Sequence, residues 1–466
     1  MRDFYTIAST YLAFTVVDAA LRMLVLLELF TRHFTAIELA LMFTLYEVLG
    51  VVTNLFGGLA ASRIGFRPLL LLGLLAQIVA ISMLYFLDSA WSKAVTTIYV
   101  AISQGFSGIA KDLVKMSGKS VSKLTKSISA EEASATLLRL VTMLTGAKNS
   151  IKGLGYFIGA LLITWGYFPA LTVLLVLVVV TLALTFQYVA ADLGKSPSRL
   201  TLHKVLTSQS PQIRQLSLAR VFLFGARDLW FEVPLPVFLR GTLGWPYFAT
   251  GFFLAAWIMV YGGVQSSTPA ILRAVGVHVP DSARQRRLAD PHSPRPLLPI
   301  HAALMTILVA LASALTALPP AASSPTGPTI AVLVGLSLFA VFFAMASSLH
   351  SYLIVAYSGH DKVAANVGIY YCANSVGRLS GTLASGYLYV NWGLSACVWF
   401  SLGAIAVSGL LSIMLEDPAS VSDQVEEDMP LAPTSAAPGA VERDQHPGGD
   451  GDVLLDASTP TVVAQP

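Results

Sequence analysis

Charge is scarce in this sequence. Only 12% of its 466 residues are Asp, Glu, Lys or Arg, about half the share usual in a soluble domain, so the chain cannot cover a water-facing surface. The net charge of +3 is small, and the basic residues form no stripe, which argues against nucleic acid as a partner. Cysteine is nearly absent. Cys372 and Cys397 both lie in apolar runs without CxxC or Cys/His spacing, so they read as packing residues rather than a disulfide or metal site. HExxH, GxSxG and metal-spaced His/Cys sets are missing as well. No enzyme, metal or cofactor is therefore expected.

What the chain has in abundance is apolar length. It is 55% hydrophobic with a mean hydropathy of +0.69, and runs of about 20 residues, long enough to cross a hydrocarbon core about 30 Å thick, recur along it. The punctuation between runs predicts helices near 6–30, 36–61, 68–87, 94–114, 140–164, 168–190, 214–240, 247–268, 298–317, 328–357, 363–390 and 393–415. Met1-Arg2-Asp3 leads into the first run without a small-residue cleavage site, which predicts a retained helix rather than a signal peptide. The fold class expected is an all-α membrane protein of twelve transmembrane helices in two pseudo-symmetric six-helix halves. The first half covers 1–190, a cytoplasmic linker 191–213 and the second half 214–415. Residues 416–466 turn to Pro, Gly, Ala, Ser and acidic residues and are expected to form a disordered tail.

Lysine and arginine set the orientation, because positively charged loops stay cytoplasmic. With the N-terminus inside, the outer loops keep only Arg32, Lys93 and Arg240, so both termini are expected in the cytoplasm of a bacterial inner membrane. The halves also resemble each other. Phe14-x-x-x-Asp18-x-x-x-Arg22 in the first span matches Phe224-x-x-x-Asp228-x-x-x-Glu232 in the seventh. In the fifth span of each half an Asn-Ser pair precedes a cation, in Asn149-Ser150-Ile151-Lys152 and Asn374-Ser375-Val376-Gly377-Arg378. A duplicated transporter with its site between the halves is the architecture these matches favour. The loop Gly57-Gly58-Leu59-Ala60-Ala61-Ser62-Arg63-Ile64-Gly65-Phe66-Arg67 resembles the signature loop of the major facilitator superfamily, with Ser62 where an acid is usual.

An ionised side chain at the bilayer centre costs at least about 2.5–3.5 kcal/mol, so a cluster of them needs partners or a wet cavity. Spans three, six, nine and twelve carry none. Elsewhere stand Asp18, Arg22, Glu47, Lys111, Asp112, Lys148, Lys152, Arg220, Arg227, Asp228, Glu232 and Arg378. The resemblance to major facilitators implies that the uncharged spans are peripheral and that most of the others line a central cavity. Lys148 and Lys152 share a helix face, where they repel unless an anion or carboxylate lies between them. Arginine forks suit oxyanions, which fits Arg22, Arg227 and Arg378. Blander readings stand beside these. Asp18 and Arg22 could form an i,i+4 pair, Asp228 is expected to pair across helices, and Lys111, Lys115 and Arg220 are expected to snorkel. His350 could titrate and couple protons or simply pack. Glu47 is a candidate proton carrier or counter-ion, and Tyr46, Tyr370 and Tyr371 could donate hydroxyls.

Several stretches resemble a narrower family. Asp18–Val25, Tyr46–Leu55, Ser107–Leu113, Leu223–Phe231, Ser347–Val355 and Tyr370–Leu379 closely resemble the organoarsenical-efflux permeases called ArsJ. That resemblance implies export of 1-arseno-3-phosphoglycerate, made when glyceraldehyde-3-phosphate dehydrogenase uses arsenate in place of phosphate. The dehydrogenase would be the functional partner, and arsenate resistance the outcome. The residues by themselves support a small polyanionic substrate. A sugar-phosphate or other organic-anion exchanger of the same fold is the alternative, whereas a passive channel fits poorly with charges of mixed sign on many helices. Substrate binding is assigned to Arg22, Lys148, Lys152, Arg227, Arg378, His350, Tyr371 and Asn374. Charge balance or proton coupling is assigned to Asp18, Glu47, Asp228 and Glu232. The loop 269–297 and the tail are expected not to touch substrate.

Overall fold

Hydrocarbon offers no water to satisfy a backbone amide, so a long apolar run must meet its own hydrogen bonds as a helix. In a computed structural model the chain does so throughout. The structure describes residues 2–64, 66–120, 133–189, 210–275, 296–317, 324–357 and 363–415, and among these there is no strand. The elements are α1 (Arg2–Thr31), α2 (Ala36–Met42), α3 (Thr44–Ile64), α4 (Phe66–Tyr85), α5 (Lys93–Ser120), α6 (Ala133–Leu162) and α7 (Tyr167–Tyr188). They continue as α8 (Pro211–Asp228), α9 (Pro234–Val237), α10 (Tyr247–Ala274), α11 (Leu297–Ala317), α12 (Thr326–Ala356) and α13 (Val363–Ile413). The parts of the predicted connections at 121–132, 190–209 and 276–295, the tail from 416, and the side chains of the signature loop at 57–66 lie outside the described residues.

Each of the twelve predicted spans has its helix, with three instructive differences. The second span is split at Phe43, where the hydroxyl of Thr44 turns back to the carbonyl of Ala40 at 3.3 Å, a contact that bends helices. The seventh span breaks between Asp228 and Pro234. Pro234 and Pro236 carry no amide hydrogen and fix their φ, so the ladder cannot run through. Instead Leu235 N reaches the carbonyl of Trp230 at 2.8 Å, and a π-helical turn follows at Phe238–Thr242. The eleventh and twelfth spans lie end to end in α13 and part at Gly393, whose φ of +74° suits only a residue without Cβ.

Seven stretches among the described residues are long and apolar enough to cross a membrane. The helices carrying two or more interior charges, α1, α5, α6 and α8, fall outside that set. Large apolar side chains instead crowd the outside of the uncharged spans. Val173, Val176, Val180 and Phe186 of α7 are exposed, as are Leu72, Leu75 and Val79 of α4 and Trp399, Phe400 and Leu410 of the last span. Such a surface is stable only against lipid, and the protein is a multi-pass membrane protein.

Packing repeats between the halves. The first span of each half lies against the fifth, α1 on α6 and α8 on the first part of α13, while α6 meets α10 and α13 meets α2 and α3 across the middle. Glycine makes these contacts close. A Cβ on Gly377 of α13 would stand 2.2 Å from the Val221 carbonyl of α8, and one on Gly262 of α10 would stand 2.5 Å from the Gly146 carbonyl of α6. Backbones this near are the way apolar helices associate where no hydrophobic effect drives them together.

Candidate functional site

The break in the seventh span sets the site. Residues 229–239 are all buried, and irregular backbone at membrane depth persists only where protein or a cavity surrounds it. The turn is braced by rings: Trp230 meets Trp257 and Phe339 edge-on, and Phe231 lies 4.6 Å from Trp257, whose indole donates to the Leu336 carbonyl at 2.7 Å. Glu232, held in this turn and 4% exposed, is thereby carried to the middle of the molecule.

Four cations converge on it. Arg22 Nε of α1 is 3.3 Å from Glu232, Lys152 Nζ of α6 is 3.8 Å, Arg227 Nη2 of α8 is 3.8 Å and Arg378 Nη2 of α13 is 2.9 Å. Glu47 forms a second node, accepting from Arg378 at 2.8 Å and Arg22 at 3.2 Å, with Lys111 Nζ at 3.9 Å. Asp228 is the third, pairing with Arg378 at 3.0 Å and with its neighbour Arg227 at 2.5 Å. Lys111 is shared with Asp112 at 3.6 Å, which also holds Lys115 at 3.0 Å, so six cations share four carboxylates. Pairs at this depth lose little strength to solvent screening, and the local balance is positive. Arg22 Nη2 and Glu47 Oε2 are buried without a hydrogen-bond partner. Beside Arg22 and Glu232 lies a small cavity with room for about one water molecule, lined also by Met23, Leu26, Tyr156, Phe231, Pro236 and Leu254. No substrate fits such a space, so the halves are closed on the cluster.

Residues 286–449 match the family model described as the Major Facilitator Superfamily. No curated protein matches the sequence. Solved structures do match across nearly the whole chain. A bacterial homologue of the iron transporter ferroportin, crystallised in the outward-facing state, covers 89% of this chain and 99% of its own at 16% identity, with a TM-score of 0.58. The human organic anion transporter MFSD10 (TETRAN) covers 88% and 100% at 16% identity, also with a TM-score of 0.58. A D-xylose–proton symporter covers 90% and 99% at 12% identity, with a TM-score of 0.63. The fold is the major facilitator fold.

Within this major facilitator fold, most residues picked from the sequence come together. Arg22, Lys152, Arg227, Arg378, Glu47, Asp228 and Glu232 form one network. The repeated motifs bring Lys152 and Arg378 to the same carboxylate, Glu232. Lys148 lies one turn before Lys152, half-buried. Asp18 does not bridge to Arg22. Its carboxylate accepts from the Tyr46 hydroxyl at 2.8 and 2.9 Å and from Ser107 at 3.4 Å. Asn374 accepts from Arg220 Nε at 3.1 Å, and Tyr371 lies under the Lys115 ammonium at 4.8 Å. His350 sits apart. Its Nε2 is 3.4 Å from Ser412, its ring is 6.1 Å from that of His301, and no described contact joins it to the ion network.

Three expectations about cations change. Arg220 does not snorkel: it is 4% exposed, and its Nη1 donates to the Ser347 carbonyl and hydroxyl, both at 3.1 Å. Lys111 reaches Glu47 and lies 4.0 Å over the Tyr46 ring. Lys115 turns inward to Asp112 at 3.0 Å. The signal for the last two was Gly108. A Cβ there would stand 2.2 Å from the Tyr46 carbonyl, so α5 runs against α3 at that level and Lys111 arrives beside Glu47. Asp228 pairs across helices with Arg378, as expected, and also with its neighbour Arg227, because the helix ends at Asp228 and frees the two side chains to converge. Tyr156, which donates to Glu232 at 3.1 Å, was missed, since nothing in an aromatic's sequence neighbourhood marks it as a donor rather than a packing residue.

Proposed function

We propose that the protein is a membrane transporter that exports a small organic anion. Within that class the substrate is 1-arseno-3-phosphoglycerate, and its export from the cell gives resistance to arsenate. One observation carries the anion reading: six interior cations gathered on four carboxylates, with Arg22 Nη2 still lacking an acceptor. A cationic cargo such as a metal would meet an already positive site, and among the described residues no cluster of His, Cys, Asp and Glu could hold one. The similarity in fold to a human organic anion transporter supports the same class. The narrower substrate rests on the resemblance of the six motif stretches to arsenical-efflux permeases. Its partner is then a glyceraldehyde-3-phosphate dehydrogenase that makes the arsenylated ester, and the membrane is the bacterial inner membrane, with both termini cytoplasmic.

The mechanism is alternating access with ion-pair exchange. Three pairs tie the halves together: Arg22–Glu232, Lys152–Glu232 and Arg378–Glu47. An entering oxyanion competes with Glu232 and Glu47 for the same guanidinium groups. Binding thus weakens the ties that hold the halves closed and couples the substrate to opening. Transport by a sensitive host tests this. Arsenate resistance is expected when transporter and dehydrogenase are present together and not with the transporter alone. Arg227→Gln and Lys152→Gln are each expected to abolish resistance at unchanged membrane abundance. Full resistance in both variants removes these residues from the site. Transport of sugar phosphates but not of the arsenylated ester into inside-out vesicles refutes the arsenical reading and leaves the anion class standing.

A further inference from the structure

Arg220 differs from every other buried arginine of the site. Arg22, Arg227 and Arg378 each pair with carboxylates, whereas among the described residues none pairs with Arg220. Its Nε donates to Asn374 Oδ1 and its Nη1 to the carbonyl and hydroxyl of Ser347, each at 3.1 Å. Its guanidinium lies over Phe224 at 3.8 Å and Tyr370 at 4.8 Å. All of these partners are neutral. Dipoles and ring faces offset part of the burial of a full charge but do not neutralise it. A fixed cation in such a nest keeps a charge that an arriving anion can offset.

The nest has the placement of a transport site. Its walls are α8, α10, α12 and the first part of α13. Ser347 also accepts from Gln265 at 3.1 Å and from Tyr261 at 3.2 Å, and Gln265 in turn accepts from Asn149 of the first half at 2.6 Å. Arg220 and Arg227 are seven residues apart on α8, about two turns along nearly the same face. The ring of Phe224 lies between them, 3.8 Å from one guanidinium carbon and 5.0 Å from the other. The two forks can therefore be no farther apart than the sum of those distances.

We propose that Arg220 is a second oxyanion-binding point, which takes one end of the substrate while the network around Arg227 and Arg378 takes the other. The substrate class is a short-chain organic acid with an oxyanion group at each end. This rests on the anion-transport reading above and adds to it a specific requirement for two charges. Thermal unfolding of the purified protein in detergent tests it, with inorganic phosphate and 3-phosphoglycerate as probes of one and two anionic groups. For the natural sequence, 3-phosphoglycerate is expected to stabilise with an apparent affinity at least tenfold tighter than phosphate. In Arg220→Gln that preference disappears while phosphate binding is kept. Asn374→Asp supplies a resident carboxylate beside Arg220 Nε without changing the shape of the side chain. It is expected to raise the unfolding temperature of the ligand-free protein and to lose the same preference, so it carries the test if Arg220→Gln fails to fold. A purely structural arginine gives the opposite result, with lower stability in Arg220→Gln and an unaltered preference in both variants, and that overturns the proposal. If neither probe stabilises the natural sequence, the anion-transport reading falls too. If both do and Arg220→Gln behaves like the natural protein, only the second binding point falls.

Discussion

At the scale of single residues, the four interior carboxylates assigned to charge balance separate into two kinds. Glu47, Asp228 and Glu232 each hold two or more cations, and the loss of one would leave buried positive charge uncompensated, which typically costs about 3–5 kcal/mol. Asp18 is different: its described hydrogen-bond partners are the hydroxyls of Tyr46 and Ser107. Hydroxyls can serve a carboxylate as donors or a carboxylic acid as acceptors, so a proton can come and go there without breaking an ion pair. If Asp18 carries a coupling proton, an imposed pH gradient accelerates transport by the natural sequence, and Asp18→Asn is expected to abolish that acceleration while leaving substrate exchange at equal pH within about twofold. Vesicle flux with and without the gradient measures both, and undiminished gradient-driven flux in the variant would show that the proton travels elsewhere.

At the scale of elements, the contact between α6 and α10 is a joint that a transport cycle must work. Gly146 and Gly262 bring the two backbones together, with Ser150 and Ser266 filling in beside them. Gly263, the next residue, meets nothing within 4 Å and faces outward. Gly262→Leu is expected to wedge α6 from α10, lower the unfolding temperature and reduce transport at least tenfold, because overpacking typically costs about 1–3 kcal/mol. Gly263→Leu, with the same side chain one position along, should change neither, and equal effects of the two would deny the joint its role. The helices themselves were legible because twelve apolar runs leave the backbone no other option. The break in the seventh span was legible in principle from Pro234-Leu235-Pro236, yet the apolar run continues across it and hides it from a hydropathy reading. Most of the network was legible because a charge inside such a run has few explanations. What could not be read was which acid meets which base. The i,i+4 spacing of Asp18 and Arg22 fits a pair within one helix as well as two separate roles, and only the packing of α3 and α5 on α1 decides it. Arg220 was lost for a related reason: it stands within two turns of the start of the predicted span 214–240, where an arginine ordinarily reaches for the headgroups, and its hydrogen-bond partners come from α12 and α13.

For the whole molecule, the closed arrangement implies that transport requires the halves to separate first on one side and then on the other. The second half meets the first through α13 against α2 and α3, where Cys372 Sγ lies 4.0 Å from the Val51 carbonyl and Gly386 is packed against Ala36, Ile37 and Ala40. Cys372 is half-buried and Cys397 is fully enclosed, so a single added thiol can be addressed. With Cys397→Ser as background, Val51→Cys places a partner beside Cys372 across the junction of the halves. A short bifunctional thiol reagent is expected to join the two and to reduce transport to background, while the same protein treated with a monofunctional reagent of similar size keeps a substantial part of its flux. The difference isolates the tether from the added bulk. Flux unaffected by a cross-link verified on the intact protein would mean that α2, α3 and α13 move as one body, and the opening would then have to lie between α6 and α10 alone.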